Sequence, residues 1–154
     1  MFYTQIVQKQ ILKSDLKTVW NFISSPNNLE KITPDDMSFK ITSKNINDSM
    51  YPGMIITYKV TPLLKIPLTW VTEITHVKEN NFFVDEQKIG PYKLWHHQHI
   101  LKEVEEGVLM IDIITYQPPL GFIGALLNFL FIKKKVTHIF KFRYNVLEKL
   151  FNKV

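Results

Sequence analysis

The chain contains no cysteine, which excludes disulfides, thiolate metal sites and cysteine nucleophiles together. Of its 19 lysine and arginine residues only Arg143 is an arginine. A nucleic-acid reader relies on arginine for two-pronged contacts to guanine and phosphate. The lysines are also dispersed, apart from Lys133-Lys134-Lys135, so no nucleic-acid partner is expected. Five glycines leave little material for a glycine-rich nucleotide cradle, and neither a nucleophile elbow nor a His-Glu metalloprotease helix occurs. No apolar run reaches the roughly 20 residues that a membrane-spanning helix needs. The start, Met1-Phe2-Tyr3-Thr4-Gln5, lacks the basic and apolar regions of a signal peptide, so a cytoplasmic location is expected.

What is present is ordinary in bulk. The 154 residues are 45% apolar and 21% charged, with a net charge of +5. That length suits one domain over 1–154, able to bury about two thirds of its unfolded surface. No repeat, linker or low-complexity segment divides it.

The hydrophobic period changes along the chain. Tyr3 to Leu12 alternate roughly, as a strand does. Ser14 then suits the N-cap of a short helix that carries Leu16, Val19, Trp20 and Ile23 on one stripe. Pro26 suits the first turn of a second short helix, which Thr33-Pro34 stops. From residue 36 to 117 alternation is continuous, in segments separated by turn-length gaps at Glu79-Asn80, Gly90-Pro91 and Glu106-Gly107. Short strands joined this way predict an antiparallel meander with one buried face. Val136, Ile139, Phe140, Leu147, Leu150 and Phe151 then fall at helical spacing and need a sheet to lie on. The expectation is an α+β domain: strand, two short helices, six more strands, and a long terminal helix.

Trp95-His96-His97-Gln98-His99 holds three of the five histidines. On a strand, Trp95, His97 and His99 share one face. A two-residue turn at Glu106-Gly107 would put Leu101 opposite Asp112, His99 opposite Ile114 and His97 opposite Tyr116. Asp112 would then sit diagonal to His99, on the histidine face. Three chemistries stay open for His97, His99 and Asp112: metal binding, acid–base catalysis, or hydrogen bonding in a pocket wall. The wall is favoured, because a third metal ligand hangs on the turn geometry; no metal or cofactor is expected. Arg143 lies seven residues after Val136 and four before Leu147, on the apolar stripe. It pairs with Asp112 or Asp85, snorkels toward the helix edge, or anchors a ligand carboxylate or phosphate. Tyr58, Trp70 and Trp95 on the inward faces, with Phe140 on the helix, would either line an apolar space or pack as a core without one. The run Leu120 to Ile132, followed by three lysines, suits either a place in the core or a transient dip into a membrane interface across 120–135.

Several stretches together resemble the START/Bet v 1-like (SRPBCC) superfamily. They are Trp20 to Leu29, Ile32-Thr33-Pro34, Phe83-Val84-Asp85-Glu86-Gln87, Gly90-Pro91-Tyr92 with Trp95, His97 and His99, and Asp112 with Tyr116 and Pro118. The likeness is to bacterial members of its polyketide cyclase/dehydrase and lipid-transport branch, and it spans nearly the whole chain. The resemblance implies a helix-grip fold, in which a curved sheet of about seven strands holds the terminal helix over a deep apolar cavity, with the run 120–132 as a lid over its mouth. It further implies binding or transport of a hydrophobic small molecule, whether lipid, polyketide-like or aromatic. On that basis Tyr58, Trp70, Trp95, His97, His99, Asp112, Tyr116, Phe140 and Arg143 are the expected ligand contacts. A cyclase, dehydratase or isomerase using His97, His99 and Asp112 is the enzymatic alternative. A regulatory protein–protein interaction domain is a third. The superfamily shares no catalytic set, so no catalytic role is carried over.

Overall fold

The structure, a computed structural model, describes residues 3–44, 46–61 and 66–153. Its order is β1 (Thr4–Leu12), α1 (Leu16–Ile23), three single 3-10 turns, β2 (Lys40–Ile41), β3 (Met54–Val60), β4 (Leu68–Lys78), β5 (Phe82–Ile89), β6 (Leu94–Val104), β7 (Gly107–Gln117), α2 (Gly121–Leu127) and α3 (Lys133–Phe151). All seven strands form one antiparallel sheet in the order β1-β7-β6-β5-β4-β3-β2. A π-helical turn over Asn128–Ile132 joins α2 to α3 without a break. The layout is the α+β helix-grip arrangement.

The local chemistry explains the element ends and corrects three expectations. Asp15, not Ser14, caps α1: its carboxylate accepts from the Thr18 backbone N–H at 2.9 Å and from the Thr18 hydroxyl at 2.6 Å. The second helix is instead three 3-10 turns, Pro26–Asn28, Glu30–Ile32 and Asp35–Met37. Pro26 opens the first as expected, but Pro34 lacks the N–H that a continuous helix would need. The turn between β6 and β7 is Glu105-Glu106, and Gly107 pairs with Val104 at the start of β7. The register is therefore two residues from the expected one. His99 faces Asp112 directly, His97 faces Ile114, and Tyr116 faces Trp95 rather than His97. A two-residue change preserves parity, so Asp112 stays on the histidine face.

Gly107 holds that register for a steric reason. Its φ is +135°, and a Cβ there would stand 2.3 Å from the Leu12 carbonyl oxygen. Gly107→Ala is expected to destabilise the protein by about 1–3 kcal/mol. Urea unfolding of the variant measures this, and an unchanged midpoint would show that the hairpin tolerates another turn.

The face of α3 carrying Val136, Phe140, Arg143 and Leu147 is buried. Leu150 departs from the expected stripe and is exposed. Side-chain amides of β1 tie the helix down at its backbone: Gln8 donates to the Phe140 carbonyl at 3.1 Å and Gln10 to the Tyr144 carbonyl at 3.0 Å. Among the described residues no helix is long and apolar enough to cross a membrane.

Candidate functional site

Each element facing the interior carries one polar level. Inward residues read Trp95, His97, His99, Leu101 along β6 and Met110, Asp112, Ile114 along β7, with Phe140, Arg143, Leu147 on α3. The core is split accordingly. One apolar cluster contains Trp20, Phe83, Leu101, Met110 and Leu147. The other contains Ile114, Tyr116, Ile132, Val136 and Phe140. The histidines, Asp112 and Arg143 occupy the level between them, all buried. Asp85 joins from β5, where it pairs in register with His97.

These groups form a ring of close contacts, two of which are hydrogen bonds. Each ionised carboxylate can only accept, so the imidazole N–H groups donate. His97 Nε2 donates to Asp112 Oδ1 at 3.0 Å, and His99 Nε2 to Asp85 Oδ2 at 2.9 Å. His97 Nδ1 lies 3.3 Å from Asp85 Oδ2. His99 Nδ1 lies 2.9 Å from Asp112 Oδ1, too far off axis for a hydrogen bond. The rings stack among themselves and their neighbours: His97 on His99 at 3.7 Å, and His99 on Phe83 at 4.0 Å.

Charge follows from this geometry. Burial alone would raise the Asp85 carboxyl, but the His97 charge and the two imidazole contacts outweigh it and hold Asp85 well below the usual carboxylate range. Asp112 is held low in the same way, burial being overcome by the hydrogen bond from His97 and the close approach of His99. Burial disfavours the His97 imidazolium, yet Asp85 and Asp112 flank it from both sides, and the balance raises His97 above its ordinary value. The two carboxylates thus face three nitrogen-bearing side chains, His97, His99 and Arg143.

Arg143 is not fully engaged. Its Nη1 approaches Asp112 Oδ1 only to 3.9 Å, beyond hydrogen-bond range. Nε and Nη1 have no hydrogen-bond partner among the described residues. The guanidinium stands 5.0 Å from the centre of the Phe140 ring. Of the expected roles, ion pairing with Asp112 is therefore only partly met, Asp85 uses its carboxylate on the histidines, and the side chain stays buried rather than snorkelling to the helix edge.

Beside this polar level, between sheet and α3, lies a cavity of about 310 Å³. Tyr58, Trp70, Trp95, His97, His99, Phe140 and Arg143 all stand in its wall, as does Asp85. Asp112 is not among the lining residues; it is buried behind the histidines. Tyr116 is also away from the cavity, its hydroxyl donating to Asn128 Oδ1 at 2.9 Å. The aromatic wall is tightly built, with Trp70 edge-on to Trp95 at 5.2 Å and stacked with Tyr58 at 6.0 Å. Thr72 satisfies its polar tips, 2.8 Å from the Tyr58 hydroxyl and 3.1 Å from the Trp70 indole N–H. Burial raises the Tyr58 hydroxyl far above its ordinary value, so it stays protonated. Sequence reasoning names Asp85 only as a possible partner of Arg143 and Tyr92 only within the resemblance, and neither as a ligand contact. The signal for Asp85 is its shared parity with Phe83 on β5.

One donor set could hold a divalent cation: ligand atoms of Asp85, His97 and His99 lie within 4.8 Å of one another. A cation there would displace ring protons that two carboxylates hold, and would add charge near a guanidinium. The arrangement is better suited to protons.

The segment 120–131 differs from a plain lid. Phe122 and Phe129 are 81% and 82% exposed, and Leu120, Ile123, Leu126, Leu127, Leu130 and Phe131 are exposed as well. Leu120, Gly124 and Leu127 also belong to the cavity wall. One segment is thus both the rim of the cavity and an unpartnered apolar surface.

No family model matches the chain, and no curated protein matches it in sequence. Solved structures do resemble it. A protein from Thermus thermophilus superposes with a TM-score of 0.71 at 13% identity, over 95% of both chains. Ara h 8.0201 superposes with a TM-score of 0.60 at 12% identity, over 96% of this chain and 99% of its own. The ginseng major latex-like protein 151 from Panax ginseng gives 0.58 at 13% identity, over 88% of this chain and 96% of its own. The fold is Bet v 1-like.

Proposed function

We propose that this protein is a carrier that binds a hydrophobic small molecule in the cavity under α3 and exchanges it at a membrane surface. The observation that carries this reading is the cavity itself: its wall is largely apolar and aromatic, and its rim is an exposed apolar helix. Its volume of about 310 Å³ falls at the low end of the roughly 300–1,000 Å³ of small-molecule sites. A lipid, a polyketide-like or an aromatic molecule is the class of cargo, in keeping with the lipid-transport side of the resemblance and with a cytoplasmic site of action.

The enzymatic alternative is weaker for a specific reason. A general acid or base must reach the proton it moves. Every ring nitrogen of His97 and His99 lies within 3.3 Å of a carboxylate oxygen, and Asp112 does not line the cavity. The ring is arranged to hold protons in place.

Native mass spectrometry of the purified protein, with titration of an apolar fluorescent dye, tests the reading. Ile56→Trp, at a fully buried cavity position, should cut dye affinity at least tenfold while costing about 1–3 kcal/mol of stability. If wild-type protein retains no apolar compound and binds no dye, the carrier reading is lost.

A further inference from the structure

Resting on the cavity-binding reading, we propose that the cargo carries a hydroxyl group at one end and donates its proton to Asp85 Oδ1. Asp85 is the member of the polar level that the cavity reaches most openly. It stands on the inward side of β5, opposite Ile74 of β4, and belongs to the cavity wall. Its side chain is 15% exposed, against 3% for His97 and 4% for Asp112. A side chain on the inward face of the sheet is exposed toward the space under α3, so that surface opens into the cavity. Both imidazoles approach the same oxygen, Oδ2, His97 Nδ1 at 3.3 Å and His99 Nε2 at 2.9 Å. Oδ1 takes no hydrogen bond among the described residues, yet it is not one of the buried unpartnered atoms. It is an open acceptor in the cavity wall.

The carboxylate decides what the cargo must bring. The histidine contacts keep Asp85 ionised, and an ionised carboxylate oxygen can only accept. Leaving such an oxygen unmet away from water costs more than leaving a neutral group unmet. Cargo that displaces water from Oδ1 is therefore disfavoured unless it supplies a proton. A ketone, an ether or a carboxylate has none to give and sets oxygen against oxygen. An ammonium has protons, but it adds positive charge where Arg143, His97 and His99 already face two carboxylates. An alcohol supplies one proton and no charge. The histidines do not compete for its hydroxyl, because all four of their ring nitrogens lie within 3.3 Å of a carboxylate oxygen. The apolar body then lies against Tyr58, Trp70 and Trp95 of the same wall. Selection is for one donor on an apolar frame.

Two isomers isolate the donor: n-decanol and methyl nonyl ether contain the same atoms, and only the alcohol has a proton to give. Each is titrated by competition with the apolar dye at neutral pH. Wild-type protein should prefer n-decanol at least tenfold, the difference expected for one hydrogen bond to a charged group. Asp85→Ala should bring the two affinities together by weakening the alcohol, with the ether as control for an intact cavity. A difluorinated decanol, substituted beside the hydroxyl carbon, gives a readout that needs no variant and decides the matter should Asp85→Ala fail to fold. Fluorination makes the hydroxyl a stronger donor and a weaker acceptor, so this alcohol should bind more tightly than n-decanol by a margin the equally fluorinated ether does not show. Equal wild-type affinities for the two isomers overturn the proposal, as does weaker binding of the fluorinated alcohol or an alcohol preference that survives Asp85→Ala. Tighter binding of n-decylamine than of n-decanol overturns it too, by assigning the carboxylate to cations. Failure of both isomers to bind would instead remove the cavity reading on which the proposal rests.

Discussion

Asp112→Ala should lower the free energy of unfolding by about 3–5 kcal/mol, the cost typical of removing one member of a buried ion pair. That corresponds to a melting shift on the order of 10 °C for a chain of this size. The loss exceeds that of an exposed salt bridge because three groups depend on this carboxylate. His97 donates to it, His99 lies against it, and Arg143 has it as nearest counter-charge. Asp112→Asn keeps the shape and one acceptor, so it should cost less. The same level sets the pH profile. Asp85 and Asp112 are depressed from an ordinary 3.8, so their contribution is full above about pH 4 and is lost as pH falls through the depressed values. His97 is raised from an ordinary 6.5, so its contribution is full below about pH 6.5 and is lost as pH rises through the raised value. Wild-type stability should therefore peak in mildly acidic solution and fall on both sides. In Asp112→Ala the alkaline decline should be smaller and finish at lower pH, since one of the two carboxylates holding the His97 proton is gone. Urea midpoints across the pH range measure both effects. A loss below about 1 kcal/mol would mean that the ring is not the electrostatic unit described.

How much of this level could be read from the sequence depends on which periodicity carried it. Strand parity put His97, His99 and Asp112 on one face, and it survived a misplaced turn. Glu106-Gly107 looks like the turn because glycine suits its second position. The chain instead uses glycine one step later, at +135° beneath the Leu12 carbonyl. Moving a two-residue turn by one position shifts the pairing by two, which leaves every face unchanged. Asp85 was harder to assign, because Phe83 and Val84 are both buried and alternation fades there. Its partner strand is also displaced by irregularities between Val71 and Thr72 and between Ile74 and His76. Helical spacing put Arg143 on the buried stripe, but spacing holds no distances, so the 3.9 Å gap that leaves its donors unpaired was not legible. Leu150 failed for a related reason: it lies at the margin of the stripe, and Phe151 beside it packs against the core instead. The cavity was implied by resemblance alone, since volume leaves no trace in residue order. The run 120–132 is apolar whether it is core, lid or outer surface, and only its exposure separates these.

Phe122→Glu combined with Phe129→Glu should abolish binding to anionic vesicles, with an affinity loss of more than a hundredfold. Each phenylalanine is more than four-fifths exposed in the free protein, so neither substitution removes packing, and the melting temperature should hold. Inserting one such ring is worth about 1.5–3 kcal/mol, and two together account for the stated loss. Lys133 and Lys134 are exposed at the end of the same segment, where each adds roughly 1 kcal/mol near an anionic surface. That charge favours a bilayer over an apolar protein partner as occupant of the patch. Converting both lysines to glutamate should erase the preference for anionic over neutral vesicles while the aromatic contribution remains. Vesicle flotation measures all three proteins. Wild type that stays in solution with anionic vesicles at low salt removes the membrane role, and concentration-dependent dimers cured by the phenylalanine variant would assign the patch to a second copy of the chain. The consequence for carriage is direct, because Leu120, Gly124 and Leu127 are shared between this segment and the cavity wall. A bilayer that takes up the exposed face of this segment would act on residues that also line the cavity. Cargo transfer between vesicles should therefore slow in the phenylalanine variant even where its affinity for soluble ligand is intact.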